Sequence, residues 1–243
     1  FKGLPQKIGG WTKFVTTYLV GIARAIHGWV SLNGTRYLAF GTDRKLYVYT
    51  EGVTYDITPI RETEVLTNPF TTASGNATVT VADTAHGALL GAFVTYTGAS
   101  PVDSLDFNQE FEIQSIVNTA AYTIAFTDGS TASGTTAGGG GTVTANYQIN
   151  TGPELSEFGY GWGTATWGGS TWGSPRTTSN ATIEARQWSL DNFGEDLIAT
   201  VLNGGTFKWD LSAGVGTRAV AVPNAPTLSR FNLVSTPDRH LLL

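Results

Sequence analysis

Short apolar and alternating runs fill the first 60 residues. IARAIHGWVSL, RYLAFGT, KLYVYT and TYDITPI are separated by NGT, GTDR and TEGV. The period is two, and each run is six to eleven residues long, so the pattern predicts β-strands joined by tight turns. Asn33-Gly34 is the strongest hairpin signal in the chain, because a type I′ turn needs positive φ at both central positions. Four strands in about 40 residues is the size of one β-propeller blade.

The pattern returns later. GWVSLNGTRYLAFGTDRKLYVYT has a counterpart in QWSLDNFGEDLIATVLNGGTFKWD. Trp29 aligns with Trp188, Leu38-Ala39 with Leu197-Ile198, and, after a one-residue slip, Tyr47 and Tyr49 with Phe207 and Trp209. A partial third copy is RFNLVSTPDRHLLL, where Arg239 to Leu241 echo Arg36 to Leu38; Leu241 stands 44 residues after Leu197. Blades repeat at roughly 40–50 residues. A β-sandwich built from similar hairpins fits the same pattern. The final DRHLLL reads as a strand cut in its middle.

The first two copies are 159 residues apart, and a segment of different texture lies between them. From Leu66 to Tyr147 the chain is rich in Thr, Ala and Gly and has no Lys, Arg or Trp. It carries its own strand series: NATVTVA, AFVTYTG, EFEIQSIV, YTIAFTD and GTVTANYQI. The alternation Thr78-Val79-Thr80-Val81 marks a half-buried strand. The expected architecture is therefore all-β: propeller blades in 1–65 and 148–243, with a small β-barrel or sandwich inserted at 66–147. GTTAGGGG reads as a flexible hairpin connection. A phosphate loop would continue into Lys-Ser/Thr and a helix, and this one does not.

Composition sharpens the picture. The 243 residues suffice for a sizeable core. Only 14% are charged, 30 are Gly, and there are twelve Phe, nine Tyr and seven Trp, a balance that favours strands and turns. The net charge is -5, the opposite of what a general nucleic-acid binder shows and the sign suited to a wall that DNA must pass without adhering. Without cysteine there are no disulfides and no Cys-type zinc sites, which fits folding in a reducing compartment. There is no Met, even at position 1, so a partial or processed chain is expected. FVTTYLVGIARAI is the greasiest early run, but Arg24 and two Thr interrupt it, so it reads as a strand and not as a membrane span or leader.

The stretch GYGWGTATWGGSTWGSPR places Trp162, Trp167 and Trp172 five residues apart, each followed by Gly. Five matches neither the helical nor the strand period, so three indoles on one strand would alternate faces and form no single platform. Gly after each Trp lets the backbone bend there. The block predicts an irregular loop pinned by buried indoles, each taking about 150–250 Å² from water. These three, with Trp188 and Trp209, are the candidate packing or subunit-interface anchors. Stacking of sugars or bases is the lesser alternative.

Two parts of the chain resemble a known family. GLPQKIGGW with ARAIHGWVSLNGTRYLAFGTDRKLYVYTEGVTYDITP, and the Trp-Gly block with ARQWSLDNFGEDLIATVLNGGTFKWD, resemble nozzle-type tail tube proteins of short-tailed bacteriophages. The middle segment resembles small β-barrel modules inserted in phage tail and adhesin proteins. The resemblance implies a virion tail component, assembled in the host cytoplasm. It implies a homo-oligomeric ring, a hexamer, below an adaptor ring, with genomic DNA passing through the bore.

No catalytic set stands out. His27, His86 and His240 have no second ligand at metal-site spacing, so no metal or cofactor is expected. Asp103, Asp106 and Glu110 are too loosely spaced for a calcium loop and read as solvated. SLDNFG misses the Ser-x-Asp-x-Gly turn of sialidase propellers by one residue. No carboxylate pair suggests a glycosidase. The expectation is a non-enzymatic structural protein. The rivals are a receptor- or glycan-binding tail protein and, behind it, an envelope hydrolase.

Overall fold

The computed structural model describes residues 10, 13, 17–152, 155–156, 184–235 and 238–243, and among them there is no α-helix. Trp162, Trp167 and Trp172 lie outside the described residues.

The first sheet is an antiparallel meander of β1 (Ala23–Val30), β2 (Arg36–Thr42), β3 (Leu46–Thr50) and β4 (Val53–Asp56). The hairpin at Asn33-Gly34 joins β1 to β2, but not through the expected type I′ pair: only Gly34 is at positive φ (86°), and its N–H is donated to the Ser31 carbonyl, so the turn closes over residues 31–34. The strand expected over FVTTYLVGIARAI begins only at Ala23; residues 17–22 are irregular.

The chain then enters an eight-stranded sheet. Its strands are β5 (Ile60–Leu66), β6 (Phe70–Thr71), β7 (Thr78–Ala82), β8 (Phe93–Thr97), β9 (Glu110–Asn118), β10 (Ala121–Ala125), β11 (Ala137–Gly138) and β12 (Val143–Gln148). The spatial order is β11-β6-β7-β10-β9-β8-β12-β5. The sheet curls around its own core of Phe70, Val81, Tyr96, Phe107, Ile113, Tyr122, Ile124 and Tyr147. It is not a closed barrel, because β5 and β11 are edges that do not pair. Strand β5 places Ile60 to Val65 in this sheet, ahead of the Leu66 boundary read from composition. The charged alternation of Arg61, Glu62 and Glu64 suits an edge with one wet face, so texture alone did not mark it.

The second meander holds β13 (Trp188–Phe193), β14 (Asp196–Val201), β15 (Thr206–Trp209) and β16 (Val220–Ala221). A hairpin of β17 (Leu233–Val234) and β18 (Leu241–Leu242) follows. Trp29, Tyr37, Ala39, Leu46 and Val48 of the first meander share one core with Trp188, Leu197, Ala199, Val201, Phe207 and Trp209 of the second.

Register shows how the two meanders correspond. Leu38 lies opposite Tyr49 and Gly28, and Leu197 opposite Trp209 and Asn192. Leu38 and Leu197 are equivalent, as are Tyr49 and Trp209. Trp29 and Trp188 are not: Trp29 faces Tyr37 next to the turn, whereas Trp188 faces Val201 at the far end of its strand. The hairpin turns differ in length, and aligning the two indoles ignored that.

The two sheets also meet with opposite faces. Thr42 and Val201 both donate their N–H toward the third strand of their sheet, to Lys45 and Gly205. For L-residues on strands of the same sense, Leu38 and Phe40 therefore emerge on the same side of their sheet as Leu197 and Ala199 do of theirs. In the second meander that side faces the shared core. In the first it is the side away from that core, with Ile26 66% and Val30 59% exposed. The far side of the second meander in turn receives the β17 hairpin: Asn232 Nδ2 donates to the Ile198 carbonyl at 3.1 Å and the Val234 N–H to Asp191 Oδ2 at 2.8 Å. The three units stack in series.

Candidate functional site: the charged junction between the sheets

The eight-stranded sheet leaves the first meander after Ile57 and returns at Ile149, whose N–H bonds the Pro59 carbonyl at 3.0 Å. Where the three sheets meet, a group of charges is drawn together from distant parts of the chain. Lys45 immediately precedes β3 and is 3% exposed. Its ammonium donates to Asp56 Oδ2 at 2.9 Å and to Glu110 Oε1, and it lies 4.5 Å from the centroid of the Phe93 ring. Arg218, from the second meander, donates to Asp56 Oδ1 at 3.2 Å and to the Thr58 carbonyl at 2.8 Å, and sits 3.8 Å from Glu110 Oε2. Gln148 completes the set by donating Nε2 to Glu110. Beside it, Arg44 pairs with Glu112, and the Thr151 hydroxyl donates to the Asp43 carbonyl.

The charges are matched. Asp56 and Glu110 carry two negative charges, Lys45 and Arg218 two positive ones. Burial pushes the Asp56 carboxyl up, but Lys45 and Arg218, with the Thr58 hydrogen bond, outweigh it and hold the group below the usual carboxylate range. Burial pushes the neighbouring Tyr47 phenol up to about 12. With Lys45 and Arg218 each reaching both Asp56 and Glu110, the arrangement clamps surfaces together.

The sequence-derived candidates lie elsewhere. Trp188 and Trp209 are buried between the meanders. Trp188 Nε1 donates to the Thr42 carbonyl at 2.8 Å, and the Trp209 ring stands 6.1 Å from Trp29 and 5.9 Å from Tyr37. His27 Nε2 meets Asn192 Oδ1 at 3.1 Å across the two meanders. His86 is 2% exposed, with Nε2 against the Asn118 carbonyl and Nδ1 accepting from the Ala88 N–H. His240 donates its backbone N–H to the Ser235 hydroxyl. Asp103, Asp106 and Glu110 are not brought together. Asp103 accepts from Thr72 and Thr136, Asp106 caps Asn108, and Glu110 faces Lys45. Among the described residues no cluster of His, Asp and Glu is placed to hold a metal ion, and no helix is long and apolar enough to cross a membrane. Lys45, Asp56 and Arg218 carried no signal in the sequence, since their partners lie up to 162 residues away.

No protein-family model matches the chain, and no curated protein matches it. Among solved structures, a phage phi92 endosialidase is similar at 10% identity and a TM-score of 0.33, over 81% of this chain. The chain spans 29% of the length of that protein.

Proposed function

We propose that this chain is a non-enzymatic subunit of a phage tail, a nozzle-type wall element of the tail tube that surrounds the DNA path. In this reading the two meanders are consecutive propeller blades and the eight-stranded sheet is an inserted module. The observation that carries it is the serial stack. The second meander turns toward the first the same face that the first leaves open, as blades succeed one another around an axis. The junction adds stiffness. Ion pairs and buried hydrogen bonds lock the inserted sheet to both meanders, which suits a wall under load.

The electrostatics suit a conduit. The chain is acidic overall, and residues 66–147 carry no Lys or Arg. A protein that grips DNA gains affinity by releasing counterions through basic contacts. This wall would repel phosphate and let the duplex slide. Subunits would form a closed ring, a hexamer on the family resemblance, seated in the virion tail against an adaptor ring after assembly in the host cytoplasm.

The test is cryo-electron microscopy of the tail together with DNA-binding titrations. A closed ring around an axial channel, with weak duplex binding at every salt concentration, is expected. A peripheral spike without a channel, or tight and salt-sensitive DNA binding, overturns the reading.

A further inference from the structure

The first meander leaves one face uncovered. Ile26, Gly28 and Val30 stand in a row along β1, and all three are exposed. Leu38 pairs with Gly28 on one side and Tyr49 on the other, and both Leu38 and Tyr49 are half-buried. A groove of about 340 Å³ lies here, lined by Gly28, Val30, Arg36, Leu38 and Tyr49.

The second meander carries the same feature with its cover in place. Its residues equivalent to Gly28, Leu38 and Tyr49 are Asn192, Leu197 and Trp209. The first meander meets all of this face: Leu197 and Trp209 are fully buried, Trp29 and Tyr37 pack on Trp209, and His27 bonds Asn192. The cover is an apolar sheet face rich in rings. The groove on the first meander is roomier, because Gly28 and Tyr49 stand where the second has Asn192 and Trp209. It therefore suits a bulky apolar side chain.

The other end of the stack offers such side chains. Asn232 and Val234 are buried against the second meander, while Phe231 and Leu233 alternate with them and are exposed. Leu242 pairs with Leu233 across the hairpin and is exposed on the same outer face. Within the chain, the far side of each unit meets the near side of the next. The grooved face and the outer face of the hairpin are thus the two unmatched ends of one series, and both are apolar.

We propose that the chain associates with itself head to tail, with Phe231, Leu233 and Leu242 of a second copy packing into the groove over Gly28 and Leu38. The proposal rests on the reading of the meanders as successive blades, and it names the joint through which the ring would close. Such a contact is heterologous: each copy keeps one free groove and one free hairpin until the series closes on itself. Removing both apolar ends from water drives it.

The test is analytical ultracentrifugation of the full chain and two variants. A Cβ at Gly28 would lie 3.4 Å from Leu38 Cδ1, an ordinary contact, and the backbone there is not left-handed, so Gly28→Trp fills the groove and leaves the sheet intact. Leu233→Arg places a charge on the exposed hairpin face. The native chain should self-associate, and each variant alone should do so roughly tenfold more weakly or worse. Mixed, the two should form a 1:1 dimer and stop there, because one keeps a working hairpin and the other a working groove. A monomeric native chain, unchanged association of either variant, or no dimer on mixing overturns the joint. Hydrogen exchange of the native chain at high and low concentration decides without any variant. Protection should rise at 26–30 and 231–233 together, and a rise at only one of them, or at neither, overturns the proposal. A tail ring whose subunit contacts bypass Gly28 and Leu233 overturns the joint and leaves the tail-tube reading standing; copies joined there without an axial channel do the reverse.

Discussion

Trp188 donates its indole N–H to the main-chain carbonyl of Thr42 at 2.8 Å, joining two sheets across 146 residues of sequence. The contact is close because Gly41 makes room for it. A Cβ at Gly41 would lie 2.5 Å from the Trp188 side chain. The glycine in RYLAFGT is thus a packing requirement of the neighbouring sheet and not a turn signal.

Gly41→Ala should destabilise the protein by about 1–3 kcal/mol through overpacking. Trp188→Phe keeps most of the apolar contact but leaves the Thr42 carbonyl unpaired, at a cost of about 1–3 kcal/mol. The double variant should cost less than the sum, since phenylalanine vacates part of the space the new methyl needs. Denaturant unfolding of all three measures this.

Trp209 is fully buried and its ring packs on Trp29 and Tyr37. Trp209→Ala should cost about 3–5 kcal/mol, because a cavity that size cannot collapse between two hydrogen-bonded sheets. A melting curve within a degree or two of the native protein would show that the shared core does not hold the meanders together.

Lys45→Met removes the ammonium from between Asp56 and Glu110 while keeping its aliphatic bulk. Two carboxylates then face each other with only Arg218 to balance them, and a loss of about 3 kcal/mol is expected. Adding Glu110→Gln to Lys45→Met should restore part of it. The readout is stability together with protease cutting at 57–60 and 148–152, the two connections that the junction braces.

Acid should release the same junction. Asp56 has its folded pKa below the ordinary carboxylate value, so its contribution is present above that value and fades as pH falls through the lower, folded one. The acid limb of a stability-versus-pH curve should be shallower in Asp56→Asn, which is also less stable at pH 7. An identical acid limb in both proteins would remove Asp56 from this account.

Residues 59–150 contain every strand of the eight-stranded sheet and its separate core. Expressed alone they should unfold cooperatively with a β-type circular dichroism signal. Residues 67–150 lack β5 and expose the β12 edge, so they should melt lower and aggregate.

Much of this fold is local and was legible in the chain. Period-two alternation and turn residues located RYLAFGT, KLYVYT, the Thr78-Val79-Thr80-Val81 strand and the Asn33-Gly34 hairpin, because a strand's two faces and a turn's positive φ are properties of a few consecutive residues. The equivalence of Leu38 with Leu197 was legible too, since repeated units repeat their pattern. Tertiary structure decided the rest. It moved the pairing of Trp29 with Trp188, since register depends on turn length as well as on the match of side chains. It kept the eight-stranded sheet open at β5 and β11, where the sequence read a barrel or sandwich. It brought Lys45, Asp56, Glu110 and Arg218 to one point. Such contacts join residues whose neighbours in sequence say nothing of them. A charge 162 residues away changes a carboxyl only once folding has taken both out of water and placed them a few ångströms apart.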